Sequence, residues 1–425
     1  MLQGTRHTRV LSGVLVALFV AGLAITITAR ASSSNTIYAC VNPAGIVRII
    51  PPRAACLGTE QPIQWSITGP AGPAGPQGPP GEGGGPMNVT VDCANGGSVN
   101  AALDQGWDRS GRLFITIKGV CNESVTIHRD DVILMGAEPG DGLAVPTEGT
   151  YPLGVAGGQR VALQQLTLQG GGYGLLVSQG AAVTGDELHI TGAQGGLSIW
   201  DGTVRLSHSV IENSAVSNVG VGLGGALFLS DSTVQGAKTY EGISVAGGSV
   251  SLDHTTVQGN NGTWGAGLGI GQGQVRIANS TITNNGAHGI WLSGGGVSIA
   301  DSRIANHTFS GLGLGAATAD LQNTTIEDNL SGIRADVGSR VMVHGATIIR
   351  RNSQFGIWLG DTSVVSGSSN DAIQITENGA GIVCGPAPAV AQITPHYSGA
   401  GFSLNASHVF NNGSPQIRCP GIIVP

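Results

Sequence analysis

Five residues in the last third of the chain have the types and spacing to act together on a sugar polymer. Trp291, Arg334 and Trp358 occupy one place in a repeated tetrad, in Gly289-Ile-Trp-Leu, Gly332-Ile-Arg-Ala and Gly356-Ile-Trp-Leu. Asp336 follows Arg334 by two residues, and Asp361 follows Trp358 by three. Indole faces stack on sugars, a guanidinium pairs with uronate or sulfate, and close carboxylates can divide acid and base roles. Trp291, Arg334 and Trp358 are therefore the ligand-binding candidates, and Asp336 and Asp361 the catalytic ones. A plainer arrangement also accommodates them: tryptophans covered by a loop, and charges forming a solvated pair.

These residues stand out because they break a rule. In Gly-apolar-x-apolar the x residue of an extended strand points away from its apolar neighbours. In most other tetrads x is small: Ser198, Gly222, Ser244, Gly269 and Gly313. If the tetrads stack at about 4.8 Å, the three large residues share one face across about 14 Å. Asp336 and Asp361 then end strands in adjacent turns, within about 5–8 Å of each other.

The tetrads start at Gly174, 196, 220, 242, 267, 289, 311, 332, 356 and 381, giving spacings of 21–25 residues. A second apolar triplet follows each time, as in Val275-Arg-Ile and Val297-Ser-Ile, and then a Ser/Thr-x-Ile triplet, as in Ser280-Thr-Ile. Three short strands per repeat cannot bury their apolar faces alone, whereas stacked repeats share one core. The helix-forming frame of a leucine-rich repeat is absent. An Asn recurs after the third strand, at 260, 285, 329, 352 and 378. Equivalent positions in stacked turns predict a hydrogen-bonded ladder along a turn that tolerates left-handed backbone.

The period and triplets resemble the right-handed parallel β-helix of the pectate-lyase-like superfamily, over roughly residues 110–420. The resemblance implies an all-β solenoid of about ten or more turns. The enzymes of that superfamily carry motifs that this chain lacks: the Gly-His-Gly and paired-Asp signatures of polygalacturonases, and the clustered-Asp calcium site of pectate lyases. Asp130-Asp131 is the one Asp pair, and Asp253-His254 the one acid-base neighbour pair. No nucleophile elbow or HExxH zinc motif is present.

Ahead of the solenoid the chain changes character twice. Residues 35–68 read as a small β-module (Thr36–Ala39, Ile46–Ile50, Pro62–Ile67) closed by Cys40 and Cys56. It resembles a module of exported bacterial proteins that precedes a collagen-like tract. Residues 69–86 supply one: Gly at 69, 72, 75, 78 and 81, with Pro beside most of them. Five triplets make a stiff spacer or a short trimeric stalk, so the chain reads as a monomer or a collagen-tract trimer. Residues 87–425 form the β-helix, with 87–120 as the cap that covers its first apolar edge.

The six cysteines fall into sequential pairs: Cys40 with Cys56, Cys93 with Cys121, and Cys384 with Cys419. Local disulfides suit an oxidising compartment. Residues 1–31 agree, with Arg6 and Arg9 before an apolar run and Ala29-Arg30-Ala31 after it, the plan of a secretory signal peptide. The run approaches bilayer-spanning length, so an uncleaved signal anchor is the alternative, and the sole membrane attachment expected. The reading is a secreted or cell-surface protein. A net charge of −7 and just two lysines exclude nucleic acid as a partner. No metal or cofactor is implied. The ligand expected is a polysaccharide or cell-surface glycan, held without catalysis; the alternative is a secreted polysaccharide lyase or glycoside hydrolase.

Overall fold

The computed structural model describes residues 36–66, 85–107, 110–146, 150–222, 224–262, 265–360, 362–367, 370–385 and 406–418. The chain divides into two compact units, Met1–Pro80 and Gly81–Pro425. Residues 1–31, expected to be a signal segment, and most of the Gly-Pro tract lie outside the described residues. Among the described residues, no helix is long and apolar enough to cross a membrane.

In the first unit Thr36–Val41 pairs antiparallel with Val47–Ile50 on one side and Gln61–Ser66 on the other. Its buried apolar residues are few, namely Ala39, Cys40 and Ile50. A core this small needs a staple, and the Cys40–Cys56 disulfide provides it.

The second unit is a right-handed parallel β-helix. Each turn contributes three strands, as in Ile290–Leu292, Gly296–Ala300 and Arg303–Ala305. Each strand pairs parallel and in register with its counterpart a turn later, for example Ile290 with Leu312 and Ile299 with Leu321. The third strands alone make a 13-stranded sheet. Alternation sends one set of side chains inward, so Ile290, Leu292, Ile299 and Ile304 are fully buried in one continuous core.

Two polar stacks run inside the corners. Between second and third strands each turn has one residue at positive φ (Glu187, His208, Asp231, His254, Asn279, Asp301, Asn323), at 46–55°. The paired Asp253 and His254 belong to this turn; they are exposed, with 3.2 Å between them. A buried hydroxyl comes next, and Ser302 Oγ accepts the Ser280 amide of the turn before at 3.0 Å.

Between third and first strands lies the Asn ladder. Asn260 Nδ2 donates to Asn285 Oδ1 at 2.8 Å, Asn329 to Asn352 at 3.0 Å and Asn352 to Asn378 at 2.9 Å. It extends to Asn218 and Asn412, and His307 fills the gap between Asn285 and Asn329. The left-handed residues are those just before it, such as Asn284, Asp328 and Arg351, and not the ladder asparagines themselves.

The ladder also accounts for the repeated Gly. A Cβ on Gly332 would lie 2.5 Å from the Gly356 carbonyl and 2.9 Å from Asn352 Nδ2. Close approach, not positive φ, therefore demands glycine at this place. One tetrad was assigned out of step: Val219 and not Val221 aligns with Ile243, so Asn218 replaces the Gly and Gly220 takes the outward place expected for Gly222.

At the N-terminal end, helix Val99–Gln105 buries Val99, Ala102 and Leu103. Ser98 caps it, and the Glu123 carboxylate accepts from the Val99 amide at 2.6 Å, where the helix dipole favours negative charge. Cys93–Cys121 ties this cap to strand Val120–Cys121. Cys384 is also disulfide-bonded, and Cys419, the partner expected for it, lies outside the described residues.

Candidate functional site

The first strands of successive turns align Gly269, Trp291, Gly313, Arg334, Trp358 and Val383 in one outward row. Trp291, Arg334 and Trp358 thus share a face, as their spacing requires. The glycine between them has a function: a Cβ on Gly313 would lie 2.6 Å from Trp291 Cε3, so the indole rests over that backbone. The Trp358 ring likewise lies over Gly360 and Gly385. Both tryptophans are consequently half-buried, not fully exposed as alternation alone suggests.

Arg334 is the hub. Its guanidinium carbon stands 4.4 Å from the Trp358 ring centroid and 5.5 Å from that of Phe309. Its Nε donates to Asp336 Oδ2 at 3.1 Å. Among the described residues nothing bonds its terminal nitrogens. The cation is therefore fixed by an aromatic face and a carboxylate. Asp336 meets Arg334 on its own strand, and Asp361, its expected catalytic companion, lies outside the described residues.

His288, just before the tetrad glycine, completes the cluster. Its ring lies 5.0 Å from both Trp291 and Phe309, and its Nδ1 is 2.5 Å from Ser310 Oγ. Burial, with the nearby His307 and Arg334, lowers its pKa to about 4, so it is neutral at ordinary pH. Glu241 occupies the same place two turns earlier, its carboxyl lying over Gly269 next to Trp291. Burial raises the pKa of that carboxyl.

Residues 241–394 match the family described as "Right handed beta helix region". The match takes in every residue of this site. No curated protein sequence matches the chain. Among solved structures, the A-module of mannuronan C-5 epimerase AlgE6 from Azotobacter vinelandii is similar at 13% identity and TM-score 0.48, covering 70% of this chain and 99% of its own. An alginate lyase from Paenibacillus sp. str. FPU-7 is similar at 12% identity and TM-score 0.33, covering 79% of this chain and 99% of its own. Likenesses this distant bear on neither substrate nor chemistry.

Phe309, His288 and Glu241 escaped sequence reasoning. All three sit in the turn before the first strand, where no apolar alternation fixes which way a side chain points. The signal available was position: Glu241 and His288 each precede a tetrad glycine at a place held elsewhere by Ala266, Ser310 and Ser331. A buried ion cluster on the third face was missed too. Glu327 accepts from Arg303, Arg350 and Arg351 at 2.6–2.8 Å. Burial works to raise its pKa, yet the bonds from Arg350 and Arg303 outweigh that and hold it low.

Proposed function

We propose that this is an exported, surface-displayed β-helix protein that binds an acidic glycan along the row from Trp291 to Trp358, without catalysis. The observation that carries the reading is Arg334: held by Trp358 and Asp336, with its terminal nitrogens directed to no described residue. A fixed guanidinium beside two indoles suits a sugar that bears carboxylate or sulfate. Asp336 acts here as a positioning residue for Arg334. The signal segment 1–31 delivers the chain outside the cytoplasm. Glycan-array binding by the intact protein and by Trp291→Ala, Arg334→Ala and Trp358→Ala tests this. Each substitution should weaken a shared set of acidic glycans, and a blank array for the intact protein would sink the idea.

A second reading, a polysaccharide lyase or hydrolase working in the same groove, draws on one observation. Glu241 with a raised pKa and neutral His288 flank Trp291, an arrangement with acid and base character. Chain shortening of a bound glycan, abolished in Glu241→Gln, would favour it over pure binding.

A further inference from the structure

The second strands form another face, and its arginines differ from those of the ion pairs elsewhere on the β-helix. Arg160, Arg303, Arg334, Arg350 and Arg351 are each paired with carboxylates. Arg205, Arg276 and Arg340 are exposed and, among the described residues, take part in no ion pair. All three point outward from second strands, in Thr203–Ser207, Leu268–Ala278 and Arg340–His344.

Their order is regular. Arg205 aligns with Phe228, then Ser251, then Arg276 in successive turns. Ser298, Asp320 and Met342 continue the row, and Arg340 lies two residues before Met342 on the last of these strands. A cation thus recurs every three turns, about 14 Å apart. Between cations the row offers an aromatic ring, hydroxyls and the Asp320 carboxylate: Arg205 stacks on Phe228 at 4.1 Å, and Ser251 and Ser298 line the same open groove. The acids nearby have partners of their own. Asp320 lies 3.5 Å from His344, and Asp253 is held by Asn279 and His254.

We propose that this face is a second binding site, for an extended polysaccharide that bears sulfate or carboxylate groups. The spacing decides against nucleic acid, because duplex DNA presents about one charge per 1.7 Å and is met by dense basic surfaces. Three cations about 14 Å apart can each meet a separate acidic group along such an extended chain. Sulfate and carboxylate are the same chemistry to a guanidinium, which takes either through paired N–H donors. The site is distinct from the Trp291–Trp358 row and does not depend on it.

The test uses the full chain and an Arg205→Ala/Arg276→Ala/Arg340→Ala variant, each with and without Arg334→Ala. Binding to immobilised heparin and to polygalacturonate is measured over a salt series, with neutral dextran as control. The expected result is a tenfold or greater loss of affinity and a shallower salt dependence in the triple variant, whichever residue stands at 334. Stronger loss on heparin assigns the site to sulfate, and on polygalacturonate to carboxylate. A triple variant that binds as the parent does, with an unchanged melting curve, overturns the second site. Failure of the first site alone would appear as an Arg334→Ala change without effect. An intact protein that binds neither polymer overturns this inference as well.

Discussion

The Arg334 guanidinium stands 4.4 Å from the centre of the Trp358 ring while its Nε donates to Asp336 at 3.1 Å. Stacking and hydrogen bonding together set the direction in which the cation faces. Lysine carries the charge but neither the planar fork nor the stack. Arg334→Lys should therefore weaken acidic-glycan binding about tenfold, close to the loss from Arg334→Ala. Calorimetric titration of both variants checks this; full affinity in the lysine variant would mean that charge alone suffices.

Glu327 holds three arginines while itself almost wholly buried. Removing the carboxylate costs its bonds to three arginines that are themselves partly exposed and can turn to solvent, about 1–3 kcal/mol. Glu327→Gln should lower the unfolding free energy from chemical denaturation by an amount in that range, whereas Asp328→Asn, on a half-buried carboxylate with one arginine partner, should cost under about 1 kcal/mol. Because the folded pKa of Glu327 is lowered, its contribution is present above the unfolded value of 4.5 and is lost as pH falls through the folded one.

The Asn352 side chain makes four bonds in the ladder, accepting from Asn329 twice and donating to the Ile326 carbonyl and Asn378. Asn352→Ala leaves these buried groups unpaired, for an expected loss of about 2–4 kcal/mol by chemical denaturation. Asn323→Ala, at an exposed turn, is the control and should cost less than half as much.

His307 is the ladder's ionisable member. Its Nδ1 accepts the Asn285 amide and its Nε2 faces the Ile282 carbonyl, which fixes the neutral tautomer. Burial lowers its pKa from 6.5 to about 4. The unfolded chain therefore takes up a proton as pH falls through 6.5, while the folded protein does so near 4. Stability should drop across that window, by on the order of 3 kcal/mol from this residue. Melting curves of His307→Asn should be flatter with pH than those of the parent; an equal slope would assign the acid sensitivity elsewhere.

The fold was legible because inward apolar pairs must recur once per turn, and Gly must accompany them where the ladder passes. Five ladder asparagines could be read for the same reason. His307 could not, since it supplies an acceptor and a donor through a different side chain. The row of Trp291, Arg334 and Trp358 was readable from spacing, because in-register stacking converts equal tetrad position into proximity. The burial of the two indoles was not, as it depends on ring direction over Gly313, Gly360 and Gly385. The turn residues Glu241, His288 and Phe309 and the ion cluster at Glu327 follow from three-dimensional neighbours on other turns, which no local pattern announces.

The central claim is that the Trp291–Trp358 row binds an acidic glycan. The most direct measurement is equilibrium titration of polygalacturonate and heparin against the intact protein, Trp291→Ala and Trp358→Ala, with melting temperature followed in parallel. Binding of at least one polymer by the intact protein, weakened about tenfold or more in each variant at little change in melting, is the predicted result. Equal affinity in all three proteins would contradict the account.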